Sequence, residues 1–128
     1  MKIRKYKKED LPAIFQMMQS EEDDWSDYCD EENQEKYKIA MNHSITYVIL
    51  EDDTVCGYIR CKDDDGYGIY ILDLLVSNTC RGKSYGRYLM KAVCDDYKDM
   101  PIYVTRDVDP YYEKQGCEKV GTVFAVNL

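Results

Sequence analysis

Three cationic side chains and two glycines occur together at residues 81–87, where the sequence reads Arg-Gly-Lys-Ser-Tyr-Gly-Arg. An apolar run of strand type ends at Val76, and a segment with helical periodicity follows the glycines. The N-terminus of a helix presents unpaired N–H groups and the positive end of the helix dipole. Because glycine lets a ligand lie against the backbone, the stretch predicts a binding site for an anion such as a diphosphate.

Two well-known phosphate-binding patterns fit this stretch poorly. The dinucleotide fingerprint G-x-G-x-x-G is absent, because Gly82 and Gly86 are four positions apart and no third glycine completes the set. Gly82-Lys83-Ser84 matches the end of a Walker A loop, but Ser77 stands where that loop needs its first glycine. A nucleotide-binding phosphotransferase is therefore an alternative that rests on half a motif.

A third pattern fits better and is reinforced downstream. Residues 81–86, entered from a strand ending in Leu-x-Val, resemble the acetyl-CoA loop Q/R-x-x-G-x-G/A of the GNAT-type N-acetyltransferases. Residues 111–117, Tyr-Tyr-Glu-Lys-Gln-Gly-Cys, are similar to the F-Y-x-K-x-G-F segment of the same family. Two loose motifs in the right order favour this family more strongly than either alone. The chain departs from the pattern at Ser84, where the loop has a middle glycine, and at Cys117, where the second motif ends in an aromatic residue.

The resemblance implies a fold, a cosubstrate and a set of binding residues. The fold would be a single α+β (mixed α/β) acyl-CoA N-acyltransferase domain over residues 1–128. Its mostly antiparallel sheet would have six to seven strands, be splayed at its centre and be flanked by about four helices. Acetyl-CoA would be the cosubstrate and a primary amine the acceptor. The cofactor-binding residues would be Leu74, Leu75, Val76, Arg81, Gly82, Lys83, Ser84, Tyr85, Gly86, Arg87 and Tyr112.

The resemblance also implies catalytic roles. Tyr112 occupies the family's general-acid position, where a phenol would protonate the CoA thiolate; alternatively, it packs a helix like others of the thirteen tyrosines. The N–H of Val76 would be an oxyanion donor. Asp73 lies among apolar residues, where a lone carboxylate is costly unless it faces a cleft or a partner. In similar enzymes that acetylate polyamines an acid faces the acceptor here, so Asp73 would orient the ammonium, accept its proton or be a structural carboxylate.

An acidic segment at residues 20–35 contains two aromatic residues, Trp25 and Tyr28. It is either a solvated linker whose carboxylates favour the start of the next helix or a negative rim that attracts an amine. The second interpretation follows from the resemblance, because this region borders the acceptor site in the family. It makes Trp25 and Tyr28 substrate-binding residues, with Asp23, Asp24 and Asp27 supplying the charge.

The periodicity of the remaining sequence predicts antiparallel strands followed by a helix and a parallel strand. The predicted helices cover residues 11–18, 32–41, 84–97 and 109–114. The predicted strands cover residues 2–6, 45–51, 55–61, 67–76 and 102–105, with one or two final strands at 118–126. Exposed final strands would be available for pairing in a homodimer.

Composition narrows the classes of partner. The net charge of −8 argues against nucleic acid or an anionic membrane and is compatible with a cationic substrate, although it also promotes solubility. No apolar run is long enough to span a bilayer, and residues 1–6 lack the apolar stretch of a secretory signal, so a cytoplasmic protein is expected. Six cysteines without a C-x-x-C pair and a single histidine predict reduced thiols and no metal site.

A CoA-binding sensor or interaction module without turnover is a further alternative, kept open by Ser84.

Overall fold

A computed structural model of the chain describes residues 1–21, 25–105 and 109–127. The strands are β1 (Lys2–Lys5), β2 (Ile45–Glu51), β3 (Thr54–Asp63), β4 (Ile69–Val76) and β5 (Ile102–Val104). The helices are α1 (Leu11–Gln19), α2 (Ser26–Cys29), α3 (Gln34–Asn42), α4 (Tyr85–Asp96) and α5 (Asp109–Lys114). Short 3₁₀ turns at Lys8–Asp10 and Asn78–Cys80 precede α1 and the glycine-containing loop.

The five strands form one sheet in the order β1-β2-β3-β4-β5. The first four pair antiparallel, and a two-residue turn with positive φ at Asp52 and Asp53 joins β2 to β3. Strand β5 is parallel to β4, because α4 crosses between them. The helix therefore begins at the end of β4, next to the loop that was predicted to bind an anion.

Strand β4 contains a bulge that changes which side chains face each layer. Arg60 pairs with Asp73 and Cys61 pairs with Ile71, so Leu72 is the extra residue. Before the bulge, Ile71 packs with the core under α4; after it, Leu75 packs with the core under the other helices. The bulge thus places Asp73 on the face covered by α1 to α3.

Helices cover both faces of the sheet. One core lies under α1, α2 and α3 and includes the fully buried Ile14 and Tyr58. The other core lies under α4, where Leu89 and Val93 are fully buried at positions one turn apart. This helix also buries Tyr85 and Gly86, so its first turn is packed against the sheet.

The strand count differs from the prediction. The sheet of the described residues has five strands, not six to seven, and the predicted strands at 118–126 are wrong because residues 117–127 form neither helix nor strand. That segment has strand-type composition, but a strand also needs a neighbour to pair with. The additional short helix α2 was not predicted, because its four residues are too few for periodicity to reveal.

A membrane-spanning helix is not found in the described part of the chain, where every helix is too short or too polar to cross a bilayer.

Candidate functional site

The loop between β4 and α4 exposes backbone to open space. Gly82 has φ +84°, and no atom lies within 4 Å of where its Cβ would be. Ser84 is the N-cap residue of α4 and has φ +64°, a left-handed conformation that favours glycine. Its hydroxyl makes no capping hydrogen bond to the helix, contrary to the usual role of serine at this position. The first N–H groups of α4 are therefore not capped by this side chain.

A cavity of about 570 Å³ lies at this helix N-terminus. It is lined by Leu74, Leu75, Val76, Cys80, Arg81, Gly82, Ser84, Tyr85, Gly86, Arg87, Tyr111, Tyr112 and Gln115. All the residues predicted to bind the cofactor are among them except Lys83. Sequence reasoning missed three residues. Tyr111 and Gln115 lie one helical turn apart beside Tyr112, so helix periodicity could have indicated them; nothing in the sequence pointed to Cys80.

The cavity extends along the second half of β4. Among the described residues, the ladder with β5 runs as far as the Thr105 N–H, which donates to the Ile71 carbonyl at 3.1 Å. On the other edge of β4, the Ser77 N–H donates to the Cys56 carbonyl at 2.8 Å. Because backbone groups alternate between the edges of an antiparallel strand, those of Leu74 and Val76 point away from β3, toward the cavity. An extended ligand could add there as a short strand.

The three cations of the loop pair with protein groups. Arg81 donates to the Val76 carbonyl at 3.1 Å and to Glu21 at 2.5 Å. Lys83 donates to the carboxylate of Glu51 at 2.9 Å, outside the cavity lining. Arg87 donates to the backbone carbonyl of Gln115 at 2.9 Å. Since these side chains are largely exposed, an incoming anion can compete for them.

Glu51 holds the outer side of the loop. It ends β2 and accepts hydrogen bonds from the Tyr85 hydroxyl and from Lys83. The hydrogen bond from Tyr85, followed by that from Lys83, lowers the pKa of Glu51. The same bond raises the pKa of Tyr85 to about 12. Lys83 therefore faces a carboxylate whose charged form is favoured, whereas a Walker A lysine would face the phosphates.

The second motif reaches the cavity through α5. The rings of Tyr111 and Tyr112 meet edge to face with their centroids 5.0 Å apart. The hydroxyl of Tyr111 lies over Gly86, only 2.2 Å from where a Cβ on that residue would be. Burial raises the pKa of Tyr111. A Cβ at residue 86 would have to displace this hydroxyl, so the contact brings the two motifs to one cavity.

Asp73 lies in a buried polar network. Its Oδ2 accepts hydrogen bonds from Arg60 Nε at 2.5 Å and from the Tyr37 hydroxyl at 2.7 Å. The Tyr37 and Tyr58 hydroxyls are 2.8 Å apart, and desolvation raises the pKa of both phenols. Asp73 is fully buried, and its Oδ1 is without a hydrogen bond. The carboxylate is not among the cavity-lining residues, so the structure does not bring it to Tyr112.

Trp25 and Tyr28 belong to an aromatic cluster on the same face. Trp25 is 9% exposed, and its ring packs edge to face on Tyr58 with the centroids 6.4 Å apart. Tyr28 is half-buried, with its ring centroid 4.8 Å from that of Tyr37. The predicted rim residues Asp23 and Asp24 lie outside the described residues.

The described side chains include no group of three or more histidine, cysteine or acidic residues close enough together to hold a metal ion.

The comparisons with known proteins agree with this geometry. The model of the acetyltransferase (GNAT) family matches residues 11–117. The chain belongs to this family and has its mixed α+β fold. No curated protein matches the chain as a relative.

Three solved structures illustrate the similarity of fold. A GNAT-family acetyltransferase from Streptococcus pneumoniae is 20% identical over 99% of this chain and 98% of that one, with a TM-score of 0.74. A ribosomal-protein-alanine N-acetyltransferase from Brucella melitensis is 12% identical over 99% and 98%, with a TM-score of 0.73. The enzyme AAC(6')-Iy, in complex with the bisubstrate analogue CoA-S-monomethyl-acetylneamine, is 13% identical over 99% and 97%, with a TM-score of 0.75.

Proposed function

We propose that this protein is a cytoplasmic, acetyl-CoA-dependent N-acetyltransferase that transfers an acetyl group directly to a primary amine. The observation that carries the proposal is the continuity of two features within one cavity. The N-terminus of α4, whose N-cap side chain makes no capping hydrogen bond, suits a diphosphate, and the stretch of β4 that lines the cavity beside it suits an extended amide-containing arm. A ligand that joins a diphosphate to such an arm fits both features at once.

The chain offers separate groups for each part of the cosubstrate. The backbone N–H groups of residues 82–87, with Arg81 and Arg87, would hold the diphosphate. Lys83 would join them after exchanging Glu51 for a phosphate oxygen. The backbone of Leu74 and Val76 would pair with the pantetheine arm. Acetyl-CoA supplies an acetyl group activated as a thioester, which an uncharged amine can attack without a protein nucleophile.

Two groups of the chain would act on the reacting atoms. The N–H of Val76 points toward the cavity and would donate a hydrogen bond to the oxygen on which negative charge develops. Tyr112 would hold the proton that the departing thiolate takes. A phenol with a pKa of about 10 can protonate a thiolate with a pKa of about 8.5 when it is held in line. The proton lost by the amine would leave through water.

Asp73 has a positioning role in this proposal. Its burial and its ion pair with Arg60 favour the structural alternative over direct contact with an ammonium group. The network fixes β4 between the bulge and the cavity, so Asp73 would hold Leu74 and Val76 in register. Removing its charge should therefore affect both stability and cosubstrate affinity.

The acceptor is proposed to be a cationic amine, either a small molecule or a protein amine. The net charge of −8 and the acidic segment around Trp25 and Tyr28 would attract it. One structural neighbour is named a ribosomal-protein-alanine N-acetyltransferase, and another is bound to the bisubstrate analogue CoA-S-monomethyl-acetylneamine, so a protein amine and a small molecule both occur among their names.

A screen for release of free CoA thiol, run with a panel of amines, tests the proposal. Tyr112→Phe should lower kcat on any accepted amine by about 100-fold, the usual scale of general-acid catalysis. Tyr111→Phe is the matched control, because it removes a neighbouring hydroxyl from the same cavity and should leave kcat within about twofold. If both variants kept the wild-type kcat, the role given to Tyr112 would be wrong.

The same screen distinguishes the proposed enzyme from the alternative of a CoA-binding module without turnover. That alternative draws support from Ser84, whose Cβ stands where the family has a glycine. It predicts binding of acetyl-CoA by calorimetry with no thiol release for any amine.

A further inference from the structure

Two cysteine side chains meet where β3 passes the loop that precedes α4. Cys80 ends the short 3₁₀ turn before the glycines and lines the cavity, whereas Cys56, on β3, is not among the lining residues. Both side chains belong to the core under α4 and are almost fully buried, and both thiols are free. The fold therefore places a pair of reduced thiols at the wall of the proposed binding site.

Backbone hydrogen bonds hold the two cysteines together. The Ser77 N–H donates to the Cys56 carbonyl at 2.8 Å, and the Cys80 N–H donates to the Ser77 carbonyl at 2.9 Å. Burial, followed by a hydrogen bond with the Cys80 thiol, raises the pKa of the Cys56 thiol to about 12. The two sulfur atoms thus lie within hydrogen-bonding distance, so a disulfide between them is within reach of the side chains.

Cys80 is the thiol that a small molecule can reach. It lines the cavity, and the Thr79 hydroxyl lies 3.7 Å from its sulfur. Lys83 is close to both thiols, because its pKa is raised first by the hydrogen bond with Glu51 and in smaller part by the charges of the Cys80 and Cys56 thiolates. Since the thiolate is the attacking form and a nearby cation favours it, these surroundings suit thiol–disulfide exchange.

We propose that Cys80 and Cys56 form a thiol–disulfide exchange site whose substrate is a small-molecule disulfide that enters the cavity. The Cys80 thiolate attacks one sulfur of this disulfide, the S–S bond of the small molecule breaks, and the departing thiolate takes up a proton. The Cys56 sulfur then attacks the Cys80 sulfur, and the second small thiolate leaves with the proton that Cys56 loses. The small disulfide is reduced to two thiols, and the two protein thiols are oxidised to one disulfide.

The surroundings of Cys56 explain why it acts second. Burial is the largest cause of its raised pKa, and the next two causes are the hydrogen bond with Cys80 and the charge of the Cys80 thiolate. Both of these act through the Cys80 thiolate, which the mixed disulfide removes. Cys56 therefore ionises more readily once Cys80 has reacted. Because Cys56 does not line the cavity, it does not meet the small disulfide directly.

The disulfide would also restrain the loop that carries Arg81. This residue follows Cys80 directly and hydrogen-bonds to Glu21 and to the Val76 carbonyl. A bond from Cys80 to β3 would fix the residue before Arg81, which must leave Glu21 in order to hold a phosphate oxygen. This step rests on the proposed function. Loss of that one charge-assisted contact predicts about tenfold weaker binding of acetyl-CoA to the oxidised protein.

Peptide mapping tests the exchange site without reference to acetyl transfer. The folded chain is treated with excess oxidised glutathione at about pH 8, its remaining thiols are alkylated, and it is cut with trypsin. Cleavage after lysine and arginine leaves Cys56 as the only cysteine of peptide 39–60 and Cys80 as the only cysteine of peptide 63–81. Wild type should give a cross-link between these two peptides. Its absence, or its formation no more often than cross-links to other cysteines, would overturn the proposal.

Single variants test the order of the two steps. Cys56→Ala removes the second thiol, so glutathione should remain attached to peptide 63–81. Cys80→Ala removes the thiol that lines the cavity, so peptide 39–60 should stay unmodified. Cys94→Ala is the matched control, because Cys94 is exposed and does not line the cavity, and it should give the same cross-link as wild type. Glutathione attached to Cys56 in the Cys80→Ala protein would contradict the assigned order.

Calorimetric titration of acetyl-CoA into reduced and oxidised wild type measures the effect on the cavity. Binding that is about tenfold weaker after oxidation, and is restored by dithiothreitol, supports the coupling to the loop. Equal affinities would overturn that coupling. If neither form bound acetyl-CoA, the proposed function would be wrong, whereas the cross-link would still decide whether the exchange site exists.

Discussion

Substituting Gly86 by alanine probes the contact that joins the two motifs. The added Cβ would lie 2.2 Å from the Tyr111 hydroxyl, 3.4 Å from Tyr111 Cζ and 3.8 Å from Leu74 Cδ2. Real Cβ atoms essentially never approach another atom closer than 3.0 Å, so the hydroxyl must move by at least 0.8 Å, the difference between 3.0 and 2.2 Å. The other two contacts are ordinary van der Waals distances. The perturbation is therefore confined to one hydroxyl group.

Two opposing effects determine how much Gly86→Ala changes the free energy of unfolding. Overpacking a buried site costs about 1–3 kcal/mol. Alanine in place of glycine within a helix gains up to about 1 kcal/mol. We expect Gly86→Ala to destabilise the fold by about 1 kcal/mol in the presence of Tyr111, a loss of about 4 °C in Tm. In a Tyr111→Phe background the clash is gone, so the same substitution should be neutral or stabilising by up to about 1 kcal/mol.

The assay is a double-mutant cycle of thermal or urea unfolding on the four proteins. The coupling free energy between Gly86→Ala and Tyr111→Phe should be about 1–2 kcal/mol, in the direction that the second change rescues the first. Because the rings of Tyr111 and Tyr112 touch, the displacement should also lower kcat, up to about 100-fold for a shift of about 1 Å. Strict additivity, or a higher Tm for Gly86→Ala alone, would refute the reasoning.

Two further predictions concern stability elsewhere in the chain. Ser84→Gly should stabilise the fold by about 0.5–1 kcal/mol, because it relieves a left-handed φ whose cost exceeds the entropy of glycine, whereas Ser84→Ala should give no gain in Tm. Burial alone would raise the pKa of Asp10, but hydrogen bonds from Arg4 and the Lys7 N–H outweigh it and lower the pKa. The stability that Asp10 contributes is therefore present above its unfolded pKa of 3.8 and is lost as the pH falls through the lower folded value. Arg4→Gln should cost about 1–2 kcal/mol at pH 7 and flatten the acid limb of the stability curve measured in urea, while Lys5→Gln should do neither.

Structural features that depend on a single segment of the chain were predictable from the sequence. The alternation at 45–51 gave the bounds of β2, and the basic loop before an amphipathic helix gave most of the cavity lining. Two loose motifs sufficed for the family because their order is informative even when single residues, such as Ser84, depart from it.

Features that depend on register were not predictable. The bulge at Leu72 turns Asp73 to the face on which Arg60 of the neighbouring strand forms an ion pair with it. No local sequence pattern specifies that pairing. The prediction of strands at residues 118–126 was wrong for a related reason. The composition of this segment indicates that it can form a strand, but it does not indicate which strand edge it would pair with.

Above all, we propose that the loop before α4 and the cavity beside β4 hold a single ligand made of a diphosphate and an amide-containing arm. Calorimetric titration with acetyl-CoA beside S-acetylpantetheine, which lacks the diphosphate, tests it most directly. Loss of two charge-assisted contacts at about 1.5 kcal/mol each predicts that acetyl-CoA binds more than 100-fold tighter, with an affinity that falls as salt is added. Equal affinities for the two compounds, or no binding of acetyl-CoA, would contradict the account.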